Sequence, residues 1–253
     1  EDRHNVVRGV TPDTHLIGVY DGHGGHAVSD MCSRMFPSLL SILLPAAIRD
    51  ESVPGGRECN AALKEAIRRI DERAVERGVA EFCGSTVCMA LVQPSLSSLT
   101  VANIGDSRMV MKSCGKIFAL TKDHSPTHPG ERARVIRCGG KITTDLLGTE
   151  RVMGALNMTR SLGDRYLRPY VSPNPVISKY SLQDGDEYIV IASDGLWDVL
   201  SNQEVMNIVD TYLRIKKTKP DGSMPHNVSR ELVNVAIARG STDNITVVWS
   251  ALH

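Results

Sequence analysis

Aromatic residues are scarce in this sequence: three Phe, two Trp and six Tyr make up 4% of its 253 residues. Few rings are available to stack on unpaired bases. A surplus of either charge is missing too, with 29 Lys and Arg against 29 Asp and Glu. Proteins held to nucleic acid by phosphate neutralisation carry a basic excess, so nucleic acid is not an expected partner. Long apolar runs are absent: clusters such as LLSILL at 39–44 fall short of the about 18 residues a membrane span needs, and no signal peptide opens the chain. The six cysteines, at 32, 59, 83, 88, 114 and 138, form no C-x-x-C pair and no regular spacing, which argues against a disulfide framework. Cys88 lies in the apolar run TVCMALV and Cys32 on a helical stripe, where a free thiol acts as a small hydrophobe. A reducing cytoplasmic or nuclear setting is therefore expected. The N-x-S/T triplets at Asn157, Asn227 and Asn244 then read as chance matches or structural asparagines.

What is present is ordinary for a globular chain: 42% apolar and 23% charged residues, enough for one large domain or two small ones. The stripe Val28, Met31, Cys32, Met35, Phe36, Leu39, Leu40, Leu43 predicts an amphipathic helix, with Pro37 expected to interrupt it and Pro45 to end it. A second stripe, Ala62 to Val75, stops near Gly78. The period then shortens. STVCMALVQ (85–93), SLTVANIG (98–105), SRMVMKS (107–113) and KIFAL (116–120) read as an antiparallel meander. A helix is expected over 130–138, a buried strand over 187–193, a helix opened by the capping box Ser201 to Glu204, another over 228–238, and a last strand in ITVVWSAL. Helices in pairs around runs of strands predict an α+β fold of antiparallel sheets covered by helices. The stretch 216–227 is the best loop candidate.

Four apolar runs end in a carboxylate beside small residues: LIGVY before Asp21-Gly22-His23, YIVIAS before Asp194-Gly195, VANIG before Asp106, and Asp243-Asn244 before ITVVW. Acids at the ends of buried strands repel one another unless a cation sits between them. Oxygen ligands without paired His or Cys select Mg²⁺ or Mn²⁺ over Zn²⁺. Each D-G alone is usually a turn; their joint occurrence is what carries the signal.

The segments Glu1-Asp2, VYDGHGGH, GSTVCMALV, ANIGDSR, LTKDHSPTHPGERARVIRCGG, LNMTRSLGD, IVIASDGLWDVLSNQE and STDNITVV span the chain in the order found in the PP2C-type (PPM) metal-dependent protein serine/threonine phosphatases, which the sequence resembles throughout. The resemblance implies two packed antiparallel β-sheets flanked by helices on both sides, one catalytic domain over 1–253, and hydrolysis of phosphoserine and phosphothreonine by a metal-bridging water or hydroxide. It implies two Mg²⁺ or Mn²⁺ ions, with a third, weaker position. Carried over residue by residue, Asp21 matches the acid bridging both metals and Gly22 a carbonyl ligand, while Asp194 and Asp243 complete the other metal. Glu1 matches an acid acting through water, Asp2 a neighbouring acid, and Asp198 and Asp123 the third position. His23 matches the general acid that protonates the departing oxygen. The arginine that grips the substrate phosphate, and the family's first strand, are expected upstream of Glu1.

Asp106 reads as a supporting or turn residue, Arg160 as a phosphate contact or an internal ion pair, and Trp197 as core. The stretch Asp164 to Val171 occupies the place of a variable flap beside the site. Phosphorylated proteins are the expected partners of a monomer. The alternative is a catalytically silent regulatory or binding module; against it, every matched ligand position is retained.

Overall fold

The computed structural model describes residues 1–48, 57–218 and 227–252. Strands β1 (Arg3–Thr11) and β2 (Thr14–Tyr20) form a hairpin, followed by the short β3 (Gly22–His23) and the helices α1 (Ala27–Ile48) and α2 (Arg57–Glu76). Then come β4 (Gly84–Ser85), β5 (Val87–Gln93), β6 (Ser98–Ile104), β7 (Arg108–Ser113) and β8 (Lys116–Ala119). Helix α3 (Pro129–Arg137), the hairpin β9 (Ile142–Thr144) and β10 (Glu150–Val152), and β11 (Leu162–Gly163) lead to β12 (Val176–Ser181) and β13 (Asp186–Ala192). The chain closes with α4 (Asp194–Trp197), α5 (Asn202–Thr218), α6 (Val228–Ala238) and β14 (Val247–Ala251).

Two antiparallel sheets dominate, in the orders β1-β2-β5-β6-β12 and β14-β13-β7-β8. Because side chains alternate across a strand, each central strand supplies two apolar faces. On β2, Leu16 and Tyr20 face the α1/α2 layer with Met89 and Leu91 of β5, whereas Ile17 and Val19 face inward with Cys88 and Ala90. On β13, Tyr188, Val190 and Ala192 pack under α5 and α6, while Ile189 and Ile191 meet Ile17 and Val19 in the layer between the sheets. The result is the expected helix, sheet, sheet, helix sandwich with three apolar layers.

The four strands predicted as a meander form, as do the helix near 130–138 and the late elements, but the meander itself divides. Strands β5 and β6 pair in the five-stranded sheet and β7 and β8 in the four-stranded one, because the Gly105-Asp106-Ser107 turn passes the chain from one sheet to the other. Ser201 and Glu204 make the reciprocal capping bonds at the start of α5, Ser201 N to Glu204 Oε2 at 2.9 Å and Glu204 N to Ser201 Oγ at 3.3 Å. Asn227 is a structural asparagine: its Oδ1 accepts from Arg230 N at 2.9 Å and caps α6. In the loop candidate, Lys216 to Thr218 belong to the end of α5, and 219–226 lie outside the described residues.

Helix α1 departs from expectation, because it runs unbroken through Pro37 and continues past Pro45. A mid-helix proline leaves the carbonyl four residues earlier without its donor. That carbonyl belongs to Ser33, and Asn5 of β1 supplies the missing bond through Nδ2 at 2.9 Å. Over Ala27–Leu44 this helix is also long and apolar enough to cross a membrane by length and composition, which a search for continuous apolar runs overlooks. In the fold, its stripe of Val28, Cys32, Phe36, Leu40 and Leu44 is fully buried in the α1/α2 layer, and Arg34, Ser38 and Ser41 face out.

Candidate metal centre and its histidine

Strand register gathers the acids at one end of both sheets. Arg3 pairs with Tyr20, so Asp2 lies beside Asp21; Ala192 pairs with both Val247 and Arg108, so Asp194 lies near the segment carrying Asp243 and near the turn carrying Asp106. Asp21 N bonds Thr86 Oγ1 at 3.0 Å and its carbonyl takes Thr86 N at 2.8 Å, while Thr86 Oγ1 shares a 2.7 Å bond with Ser107 Oγ. A buried hydroxyl pair thus braces the loops that carry Asp21 and Asp106. Ser193 Oγ donates to Asp2 Oδ2 at 2.8 Å and accepts from Thr246 N at 3.0 Å, tying Asp2 to the Asp194 turn and to the approach to β14. A Cβ at Gly195 would overlap the Asn244 carbonyl, so only glycine lets the Asp243-Asn244 loop close onto α4. Glu1 joins through its main-chain nitrogen to Asn244 Oδ1 and through Oε2, which accepts from Gly25 N at 3.2 Å.

Burial, then the facing Asp194, Asp2 and Asp106 carboxylates, push the Asp21 carboxyl far above its usual range. Burial and the neighbouring Asp198 and Asp243 raise Asp194, and burial with Asp194 and Asp123 raises Asp106. Asp198 is raised by burial and then by Asp123 and Asp243. Asp2 Oδ1, Asp106 Oδ1 and Asp194 Oδ1 are buried with no hydrogen-bond partner among the described residues. Buried oxygens of one charge sign, unpaired and mutually repelling, suit a hard divalent cation. Among the described residues no three His, Cys, Asp or Glu side chains close around one point as a ready-made cage.

The nine sequence-predicted positions do not all sit alike. Asp21, Asp194, Asp2 and Asp198 share the repelling cluster. Asp243 is exposed at its rim, with Asn244 N on Oδ1 at 2.7 Å, and Glu1 is exposed beside it. Gly22 pairs with Ser85 in the small sheet of β3, β4 and β11. Asp123 is engaged by the chain itself: Arg108 Nε and Nη2 reach its two oxygens at 3.0 and 2.5 Å. Asp106, read as a supporting residue, is buried among the acids; the apolar run ending in I-G-D was its signal. Arg160 makes an ion pair with buried Glu131, Nη2 to Oε1 at 2.5 Å, and Trp197 is core, its Nε1 donating to Ala192 O at 3.0 Å.

His23 occupies a separate corner. Its Nε2 lies 2.6 Å from Asp164 Oδ2, and Ser161 Oγ bonds the same oxygen. Its Nδ1 is buried and unpartnered. Asp164 is 1% exposed and adopts a left-handed backbone at φ +46°, unusual outside glycine but tolerated by Asp and Asn. A side chain at Gly84 would overlap both Asp164 Oδ2 and His23 Nε2. The rest of the flap stretch is anchored by Arg168, whose Nη2 donates to Asp71 Oδ1 at 3.0 Å and Gly163 O at 2.8 Å.

The family model described as protein phosphatase 2C matches residues 1–245. A rice protein (Oryza sativa subsp. japonica) named probable protein phosphatase 2C 7 is 36% identical over 259 residues, covering 100% of this chain and 62% of its own length. The chain spans about three fifths of the curated relatives it matches. A solved structure described as a C. elegans sex determining protein superposes with a TM-score of 0.84 at 28% identity, over 100% of this chain and 61% of that one. The serine-threonine phosphatase 2C of Toxoplasma gondii shares the fold, with a TM-score of 0.82 at 22% identity over 99% and 90% of the two chains. With the sandwich, the acidic strand ends and a family match over nearly its whole length, this chain belongs to the protein phosphatase 2C family.

Proposed function

We propose that the chain is the catalytic domain of a metal-dependent protein serine/threonine phosphatase. The observation that carries this reading is the set of buried, unpartnered carboxylate oxygens on Asp2, Asp106 and Asp194, facing Asp21 at the ends of two different sheets. Asp21, Asp194, Asp243 and the Gly22 carbonyl would hold two Mg²⁺ or Mn²⁺ ions, with Glu1 and Asp2 acting through water and Asp198 with Asp123 serving a third position. Such ions lower the pKa of a bound water and draw charge from the phosphoryl oxygens.

The chain's own groups do the rest. The paired hydroxyls of Thr86 and Ser107 keep the Asp21 and Asp106 loops in place, and the Ser193 hydroxyl keeps Asp2 against the Asp194 turn. A serine or threonine alkoxide is a poor leaving group, and His23, two residues after Asp21, would protonate it. None of the six cysteines opens a C-x5-R loop, and Cys32, Cys59, Cys83 and Cys88 are buried, so a phosphocysteine intermediate is not called for. The retained carboxylates argue against a silent module.

Hydrolysis of a phosphothreonine peptide in Mn²⁺, with and without EDTA, for wild type and Asp194→Asn tests the reading. Turnover that vanishes in EDTA and drops on the order of 100-fold in the variant supports it; turnover indifferent to both overturns it.

A further inference from the structure

We infer that Asp164 is a positioning residue for His23, fixing its tautomer and aiming Nδ1 at the departing oxygen. The inference rests on the general-acid reading of His23. Asp164 stands outside the acidic cluster: the acids that repel one another there are Asp2, Asp21, Asp106, Asp123, Asp194, Asp198 and Asp243, whereas the Asp164 carboxylate faces His23 and Ser161. Its side-chain hydrogen bonds go to His23 and Ser161, and it is almost wholly buried.

Three features commit this carboxylate to the imidazole. One oxygen, Oδ2, receives both the His23 ring and the Ser161 hydroxyl, so the acceptor cannot swing away without losing two bonds. The main chain is pinned on both sides, Asp164 N to Cys83 O at 3.2 Å and Arg165 N to Ala80 O at 2.9 Å. The left-handed turn at Asp164 and the bare α-carbon of Gly84 together make room for the contact. The 2.6 Å contact suits an Nε2–H donating to the Asp164 carboxylate, which the Ser161 hydroxyl also uses as an acceptor. The second nitrogen, Nδ1, is the one without a protein partner.

In the reaction, a hydroxide oxygen bonds to phosphorus as the P–O bond to serine or threonine breaks, and the imidazolium of His23 passes its Nδ1 proton to the departing oxygen. The imidazole left behind is neutral and keeps its Nε2 proton against Asp164. Without Asp164 the ring is free to rotate or to settle in the other tautomer, and the loss falls on leaving groups that need a proton.

The test uses the full chain with Mn²⁺ and two substrates, a phosphothreonine peptide and p-nitrophenyl phosphate. Asp164→Ala is expected to lower kcat on the peptide about 10- to 100-fold with KM within about twofold, and on the aryl ester less than about fivefold. Asp164→Asn suits the left-handed backbone and keeps an oxygen acceptor, so it is expected to recover at least part of that loss. In a His23→Ala background neither variant should cost more, because the group being positioned is gone. Nitrogen-15 spectra of the histidine rings, with His23→Ala identifying the signal, should show the Nε2-protonated tautomer in wild type. That readout also serves if Asp164→Ala does not fold. Equal losses on both substrates, losses that multiply with His23→Ala, or an Nδ1-protonated ring in wild type would overturn the role of Asp164. The general-acid reading itself fails separately, if His23→Ala slows both substrates equally.

Discussion

Arg108 grips Asp123 through two nitrogens, gives its third to Asn202 Oδ1 at 2.9 Å, and lies 5.2 Å over the Trp197 ring. The chain therefore carries a cation of its own at the edge of the cluster, within the field of Asp198 and Asp106. Arg108→Ala should destabilise the protein in EDTA by about 2 kcal/mol, because it strands partly buried acids, and Mn²⁺ should restore more than half of the difference. Arg108→Lys should not replace it, since a point charge offers neither the fork nor the stacking plane. Thermal melts with and without Mn²⁺ check this, and a loss independent of metal would remove the electrostatic account.

The mutual repulsion of Asp21 and Asp194 gives a change of sign. In EDTA, Asp194→Asn removes a carboxylate whose charge, after burial, holds Asp21 far above its usual range, so the variant should be more stable than wild type by about 1 kcal/mol near neutral pH. With Mn²⁺ the order should reverse, since wild type gains the binding energy of the ion and the variant does not. Calorimetry in both conditions would show the crossover; a variant less stable in both would mean that the acids are not in conflict.

Acid lability should begin with a histidine. Burial, then the nearby Arg160 charge, lowers His124 from 6.5 to about 4, so the folded protein keeps the ring neutral where the unfolded chain protonates it. Its contribution is complete above pH 6.5 and is lost as pH falls toward 4, on the order of 2–3 kcal/mol. Glu131 follows at lower pH: burial alone would raise it, but hydrogen bonds from Arg160 and Thr159 and the charges of Arg160 and Arg134 bring it from 4.5 to about 2. Its stabilisation is present above 4.5 and fades toward 2. In EDTA the raised Asp21 and Asp194 act in the opposite direction, so the useful quantity is the difference between wild type and His124→Gln at each pH. Urea midpoints should converge between pH 6.5 and 4; parallel curves would exonerate His124.

The proline inside α1 predicts a coupling. Asn5→Ala should cost about 1 kcal/mol, because it leaves the Ser33 carbonyl without a donor. Adding Pro37→Ala restores a main-chain N–H at the position that normally serves that carbonyl, so the cost of Asn5→Ala should shrink in that background. A double-mutant cycle by chemical denaturation gives the coupling, and an additive pair would mean that Asn5 acts elsewhere.

The sandwich and its acids were legible because both are written locally. Runs such as IVIAS and LIGVY are buried on both faces and end in Asp-Gly, so strand and acid are announced together. Strand β12 was missed because VISKYS is a half-exposed edge strand with little apolar periodicity. The passage of α1 through Pro37 was unreadable because its remedy, Asn5, lies 28 residues from Ser33 on another element. Asp164 escaped for a similar reason: nothing in S-L-G-D discloses a partner 141 residues away, and the carboxylate shows its use only once β4 and β11 bring Gly84 and His23 alongside.

Asp21 hangs from the five-stranded sheet and Asp194 from the four-stranded one, so the distance between them is set by what keeps the sheets apart. That spacer is the layer of Ile17, Val19, Cys88, Ala90, Met109, Ile189 and Ile191. These side chains never meet a metal or a phosphate, yet they are the ruler against which the site is cut. Trimming Val19 or Ile191 by a methyl group would be felt as a change in ionic affinity, and a bound cation, in return, would rivet one sheet to the other.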